Sequence, residues 1–442
     1  MQQKRLSYAQ LLNISLGFWG IQISSGLQTA NTSAIFECLG ASVSQIPLLW
    51  LGAPVLGLLV QPVVGRMSDK TWNRLGRRQP YFLVGAVLSA MTLLLLPNAS
   101  ALWMAAMLHW TLEATTNIAV APARAFVGDM LPRSQRTLGY ALQSLCVGSG
   151  AVIAAALPWI LSTFFDVSSA AEQAAVPLTI RISYGLGAAM CLSGTLWTFF
   201  SVKEPPPAEF ETGTLQESEG VGSTLKSIFQ AVTSMPLLMR RLAWVQVFTW
   251  FGMYCIFLYF PTAVAQNILG ATNEDSLRYA HGIEWAGVCI AFYNLVCLLF
   301  SLLLPLLSRR LGRVLLHTLC LLCGSAGLVS LLLIHNQYHI LIAMTGVGIA
   351  WASILSIPYA LLMDNLSDSE SGIYMGIFNG FVVLPQIIMS LGLGWIMAHL
   401  LQGDRLLALT LGGCCMVIAA LLMQRVTEEA IDTTTEAVQE AS

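Results

Sequence analysis

The stretch Leu112-Glu-Ala-Thr-Thr-Asn-Ile-Ala-Val-Ala-Pro-Ala-Arg-Ala-Phe-Val-Gly-Asp129 carries a carboxylate, Glu113, and a guanidinium, Arg124, within an otherwise apolar segment long enough to cross a bilayer. Charged side chains at that depth cost roughly 2.5–3.5 kcal/mol each, so they persist facing a bundle interior or a wet cavity, usually along a transport pathway. Eleven helical positions at about 100° each return to within about 20° of one face, with a rise of roughly 16 Å. The two groups therefore look the same way, too far apart to pair directly. Asn117, one turn below Glu113, and His109, one turn above it, extend a polar column on that face. The structural alternative is that Glu113 and Arg124 each neutralise a charge on a neighbouring helix, and His109 alone reads better as packing than as a proton relay.

The rest of the chain agrees with a membrane setting. Of its 442 residues, 56% are hydrophobic and only 10% charged, against about 25% charged in a soluble domain. Apolar runs of membrane length recur throughout and place the chain as an all-α, polytopic membrane protein. The ten cysteines fall in or at the ends of these runs. Cys320 and Cys323 have CxxC spacing, but with no second ligand pair they read as small packing residues, and no metal or cofactor is expected. The apolar run 11–36 is too long for a signal-peptide core and reads as the first span.

Twelve spans are expected, at 11–36, 47–65, 81–97, 101–127, 138–163, 181–201, 243–265, 284–307, 314–334, 340–362, 373–398 and 406–424. The longest interruption contains Pro205-Pro206-Pro207 and a polar run over 209–222, and reads as a linker. The domains expected are a six-helix bundle over 1–201, a cytoplasmic linker over 202–241, a second six-helix bundle over 242–425 and a disordered tail over 426–442. With the N-terminus in the cytoplasm, the basic residues fall on the cytoplasmic side except Arg181, Arg278 and Arg405 outside and Arg124 in the membrane. The positive-inside rule then places both ends inside. The halves also echo one another: Ala121-Pro122-Ala123-Arg124 with Asp129-Met130-Leu131 resembles Ile357-Pro358-Tyr359-Ala360 with Asp364-Asn365-Leu366. Such a duplication implies two like bundles with a substrate site near the midplane between them.

Between spans 2 and 3 runs Gly65-Arg-Met-Ser-Asp69-Lys70-Thr-Trp-Asn-Arg74-Leu-Gly76-Arg77-Arg78-Gln-Pro80. Its glycines permit tight turns, Asp69 can cap and pair, and Arg77 and Arg78 can bridge to helix ends. Gly65, Asp69, Gly76, Arg77, Arg78 and, after span 4, Asp129 suit a conformational latch in a rocking carrier. A basic anchor for anionic lipid accounts for the arginines but not for the glycines or Asp69.

This loop, spaced G-x-x-x-D-[RK]-x-x-x-x-x-G-R-R-x-P, resembles the signature of the major facilitator superfamily in the form found in sucrose/H⁺ symporters and related glycoside-pentoside-hexuronide:cation symporters. Gly57-Leu58-Leu59-Val60-Gln61-Pro62, Trp110-Thr111-Leu112-Glu113, Pro122-Ala123-Arg124, Ile357-Pro358-Tyr359-Ala360, Met375-Gly376, Asn379 and Pro385-Gln386 extend the resemblance over most of the chain. It implies the major facilitator fold, twelve transmembrane helices in two six-helix bundles. It also implies proton coupling through Glu113, where the family has an aspartate, and an essential role for Arg124. The sequence departs from the plant members at Val43, where they carry histidine, and near Ala263, Gln266 and Asn267, where they carry charges. The short loops look bacterial.

A sugar site needs neutral donors and acceptors with flat apolar faces and few full charges. Gln22, Gln28, Asn31, Asn117, Gln143, Trp250, Asn294, Asn379 and Gln386 supply that chemistry, although an interhelical hydrogen bond competes as a role for each amide, and packing for Trp250. Sodium prefers several oxygen ligands, and span 2, where sodium-coupled melibiose-type relatives carry carboxylates, has none. A proton needs only Glu113, with Glu284 and His281 as secondary candidates. The expected function is proton-coupled uptake of a disaccharide or related glycoside, such as sucrose or maltose, by alternating access. The partners are the sugar, H⁺ and the lipid bilayer, with no nucleic acid, and the working unit is a monomer in a bacterial inner membrane. A sugar facilitator or a sodium-coupled glycoside symporter is the alternative. More remote are a metabolite or drug exporter, which would favour an acidic-aromatic cavity, and a non-transporting sugar sensor, which would carry a long cytoplasmic domain. No HExxH, GxSxG or paired-aspartate loop supports an enzyme.

Overall fold

The structure is a computed structural model and describes residues 6–131, 135–167, 175–204, 235–274, 276–363 and 371–426. Twelve helical passes run through the described residues: α1 (Tyr8–Cys38), the short α2 (Ile46–Leu49) continued by α3 (Gly52–Lys70), α4 (Gln79–Leu95), α5 (Leu102–Met130), α6 (Arg136–Phe164), α7 (Leu178–Ser201), α8 (Leu237–Ala263), α9 (Leu277–Leu311), α10 (Arg313–Ser330), α11 (Ile340–Ile354) continued by α12 (Ile357–Met363), α13 (Ser371–His399) and α14 (Arg405–Met423). Among the described residues, nine candidate spans are long and apolar enough to cross a membrane. The remaining three passes, α1, α5 and α7, fall outside that set. The linker beyond Glu204 and the acidic tail lie outside the described residues.

Local chemistry sets the helix ends. Ser7 opens α1 with a reciprocal capping box to Gln10, Ser276 caps α9 by accepting from the Tyr279 amide, and Asp404 caps α14 by accepting from Leu406 and Leu407. Because Ser276 starts α9 well before the expected 284, Glu284 lies two turns inside the helix and not at its outer end. Likewise α8 starts at Leu237, six residues earlier than the apolar run alone suggested, because Arg240 and Arg241 continue a helix that runs beyond its apolar part. Pro358 follows the break between α11 and α12, in keeping with its missing amide.

Helix neighbours fall into two groups. In the first, α1 packs on α5, α6 and α7, and α5 on α3 and α4; in the second, α8 packs on α13 and α14, and α10 on α11 and α14. Small residues let these helices approach closely: a Cβ on Gly194 would meet the Leu16 carbonyl at 2.8 Å, and one on Gly252 the Gly412 carbonyl at 2.6 Å. Where lipid removes the hydrophobic drive between helices, such backbone proximity supplies the packing. The groups meet along a seam where α6 faces α9, α1 faces α8, and α2 and α3 face α13.

Along that seam the two ends of the bundle differ. At the distal end, opposite the Tyr8 end of α1, Glu37 pairs with Arg405 at 2.9 Å. Ser162 donates to Glu284 at 2.7 Å, Tyr259 to the Val43 carbonyl at 3.0 Å and Tyr254 to the Trp50 carbonyl at 3.3 Å. At the terminal end Arg124 is exposed, and Cβ atoms built on Gly65, Gly376 and Gly380 would meet nothing within 4 Å. Among the described residues, the hydrogen bonds and the ion pair that cross the seam gather at the distal end.

Candidate transport site

The charged pair lies on α5, which packs on α1, α3 and α4. On α5, Glu113 is half-buried and Arg124 exposed. Each has an electrostatic neighbour on the other helix group. Glu113 lies within reach of Tyr254 on α8, and Arg124 of Tyr359 on α12. The Tyr254 hydroxyl is itself engaged, with Ser390 at 2.7 Å and the Trp50 carbonyl at 3.3 Å. Tyr359 belongs to the Pro358-Tyr359 stretch that echoes Pro122-Ala123-Arg124, so the two repeats of the motif face each other.

Asn117 joins them on α5. Its amide donates to the Glu113 carbonyl at 2.8 Å and its oxygen accepts from Gln61 on α3 at 2.5 Å, while Ser89 on α4 holds α5 through Thr115 at 3.0 Å. Four of the other expected substrate residues have buried polar atoms without a hydrogen-bond partner: Gln28 Oε1, Asn31 Oδ1, Gln143 Nε2 and Trp250 Nε1. Such atoms are costly unless water or a solute completes them. Trp250 stands edge-to-face on Trp351, with centroids 5.7 Å apart, and Trp351 in turn meets Phe257. This aromatic group offers apolar ring faces beside an unused indole donor.

The remaining candidates have other surroundings. Asn294 and Gln386 donate to the carbonyls of Ile290 and Val382 on their own helices. Gln22 is half-buried beside Gly150, and Asn379 is exposed. His109 packs against Phe36 and Trp50 and neither ring nitrogen has a partner, which suits the packing role. Glu284 accepts from Ser162 across the distal seam.

Residues 14–390 match the Major Facilitator Superfamily. The chain belongs to that superfamily. It is 22% identical over 439 residues to Sucrose transport protein SUC4 of Arabidopsis thaliana, covering 89% of this chain and 85% of the relative. It is 23% identical over 272 residues to the General alpha-glucoside permease of Schizosaccharomyces pombe, covering 58% and 48%. Among solved structures it resembles a D-xylose-proton symporter, with a TM-score of 0.65 at 16% identity over 96% of this chain and all of the other.

In this facilitator the loop after α3 is tied down within its own helix group. Glu204, just past α7, accepts from the backbone amides of Arg77 and Arg78, the latter at 3.0 Å, and Gln79 Nε2 donates to the Val202 carbonyl at 2.6 Å. A carboxylate at the start of α4 completes orphan amides and complements the helix dipole. Burial raises the pKa of this carboxyl above the usual range, against the opposing pull of the amides and Arg78. Gly76 has φ +107, and a Cβ there would strike Glu204, so glycine is required twice over. Arg78 Nη1 donates to Ser68 at 2.7 Å. The side chains of Asp69 and Asp129, also expected in the latch, lie outside the described residues.

Three participants escaped sequence reasoning: Glu204, Glu37 and Arg405. Glu37 sits at the end of an apolar run and Arg405 at the start of one, and each alone reads as an interfacial charge. A carboxylate that ends one span and an arginine that begins another was the available signal, but nothing in the order of the chain pairs positions so far apart.

Proposed function

We propose that this transporter takes up a disaccharide or related glycoside together with a proton. The single observation that supports the coupling is that Glu113, an acid at membrane depth, stays partly accessible on α5, with Arg124 on the same helix towards the terminal end. The relatives named for sucrose and alpha-glucosides favour a glycoside. The unpartnered amides and the Trp250–Trp351 pair suit its hydroxyls and C–H faces. Two six-helix bundles, over 1–201 and 242–425, rock about the seam, and the chain works as a monomer in a bacterial inner membrane. The basic residues gathered at the terminal end support a cytoplasmic side for that end and for both termini, and in this reading the site opens inwards.

In this reading Glu113 carries the proton from outside while solute binds beside it, and inward opening delivers the carboxyl to water and to the field of Arg124. Proton flux is measured in reconstituted vesicles against maltose, sucrose, trehalose and monosaccharides. A disaccharide-dependent flux is expected. Glu113→Gln should abolish uphill accumulation and retain exchange. Accumulation unchanged in that variant would exclude the role, and accumulation driven by sodium and not by protons would favour the sodium-coupled alternative.

A further inference from the structure

The distal end carries a cluster that the coupling pair does not use. Glu37 closes the last turn of α1, while Arg405 and Tyr279 stand in the first turns of α14 and α9, where Asp404 and Ser276 cap the helices and fix their side-chain directions. Arg405 donates to Glu37 Oε1 from Nε at 3.2 Å and from Nη2 at 2.9 Å, and Tyr279 donates to Oε2 at 2.9 Å. All three are buried: Glu37 is 4% exposed, Arg405 7% and Tyr279 0%. Glu274, Tyr259 and Cys38 are the other titratable groups within electrostatic reach.

Both oxygens of Glu37 are thus satisfied from the second helix group, and among the described residues its side chain has no hydrogen bond within its own group. If the groups part at this end, only water can replace those donors. A buried ion pair is seldom a net source of stability, because similar-sized apolar residues often do as well, whereas removing one partner strands a charge. Its natural use is to mark one of two states. Ser162–Glu284, Tyr259–Val43 and Tyr254–Trp50 join the same groups at the same end, and Gly394 is pressed on the Ser44 carbonyl.

We infer that Glu37, Arg405 and Tyr279 form the outer lock of the transport cycle, an ion-paired strut that exists only while the outer end is closed and whose separation opens the site to outside solute. The inference rests on the alternating-access reading and not on the identity of the sugar. In the closed state a lone Arg405 is buried and unpaired; in the open state it is hydrated. Loss of Glu37 therefore penalises the closed state selectively and shifts the population outward.

The test is the distance between spin labels at the exposed distal positions 42 and 277, in lipid nanodiscs without solute, with the exposed Cys323 and Cys414 replaced by serine. Glu37→Gln should raise the long-distance population at least about fivefold over the parent. Tyr279→Phe should raise it about twofold, the effect of one lost hydrogen bond. The double variant Glu37→Leu/Arg405→Leu should lie closer to the parent than Glu37→Gln does. An unchanged distribution in Glu37→Gln, or in Tyr279→Phe where Glu37→Gln does not fold, overturns the lock, as does a double variant at least as open as Glu37→Gln. No solute enters the measurement, so failure of the sugar assignment in the flux assay leaves this result standing.

Discussion

The glycines of α13 show how unevenly that helix is packed, since Gly394 abuts the Ser44 carbonyl while Gly392 and Gly380 stand clear of neighbours. At the distal end of α13, a Cβ on Gly394 would lie 2.3 Å from the Ser44 carbonyl, whereas at the terminal end of the same helix one on Gly380 would meet nothing within 4 Å. The distal seam is cross-braced by Glu37, Arg405, Tyr279 and the Ser162–Glu284 hydrogen bond; at the terminal end Arg124 stands exposed. One end is tied across the seam and the other carries an accessible charge. A carrier that works by alternating access needs each end tied and untied in turn, so the contacts at the tied end are those the cycle must break.

The contrast is most sharply tested at Arg124 on the terminal side. Arg124→Gln removes the only cation described on the membrane-depth face of α5, and transport rate should fall about a hundredfold, in line with charged intramembrane residues serving the pathway directly; near-parental rates would assign Arg124 to packing. Next in size is a comparison within α13: Gly394→Val should keep the distal seam from closing and slow transport about tenfold, while Gly380→Val, with open space around it, costs less than threefold. Equal effects on initial uptake would dissolve the distinction between the ends. Gln28→Leu, which removes an unpartnered buried oxygen, should raise the KM for solute about threefold to tenfold with little change in thermal stability. A KM unchanged alongside higher stability would place that oxygen outside the binding site. The smallest effect is expected at Glu204→Gln, which keeps the shape of the cap at α4 but weakens its charge, lowering the melting temperature by a few degrees, a loss of about 1 kcal/mol.

Much of this was legible because the bilayer is a demanding solvent. Apolar runs of fixed length, the breaks at Pro and Gly and the charge asymmetry of loops are local signals, and the helices follow them closely. Where boundaries moved, as at α8 and α9, the cause was a cap or a basic flank that extended a helix beyond its apolar part. The exception of Glu113 and Arg124 to the apolar rule also marked their face in advance. Illegible were the partners. Tyr254 and Tyr359 are ordinary aromatic residues in apolar runs, Glu204 follows a span as many loop acids do, and Glu37 precedes Arg405 by most of the chain.

The sequence by itself determined the class of the molecule, its membrane passes and the presence of a carboxylate and a guanidinium within one apolar helix, because periodicity, length and the cost of charge in lipid act along the chain. Only the tertiary structure decided which end is tied across the seam and what each charge faces, because ion pairing and steric contact act through space and join residues whose separation in sequence carries no information about their distance.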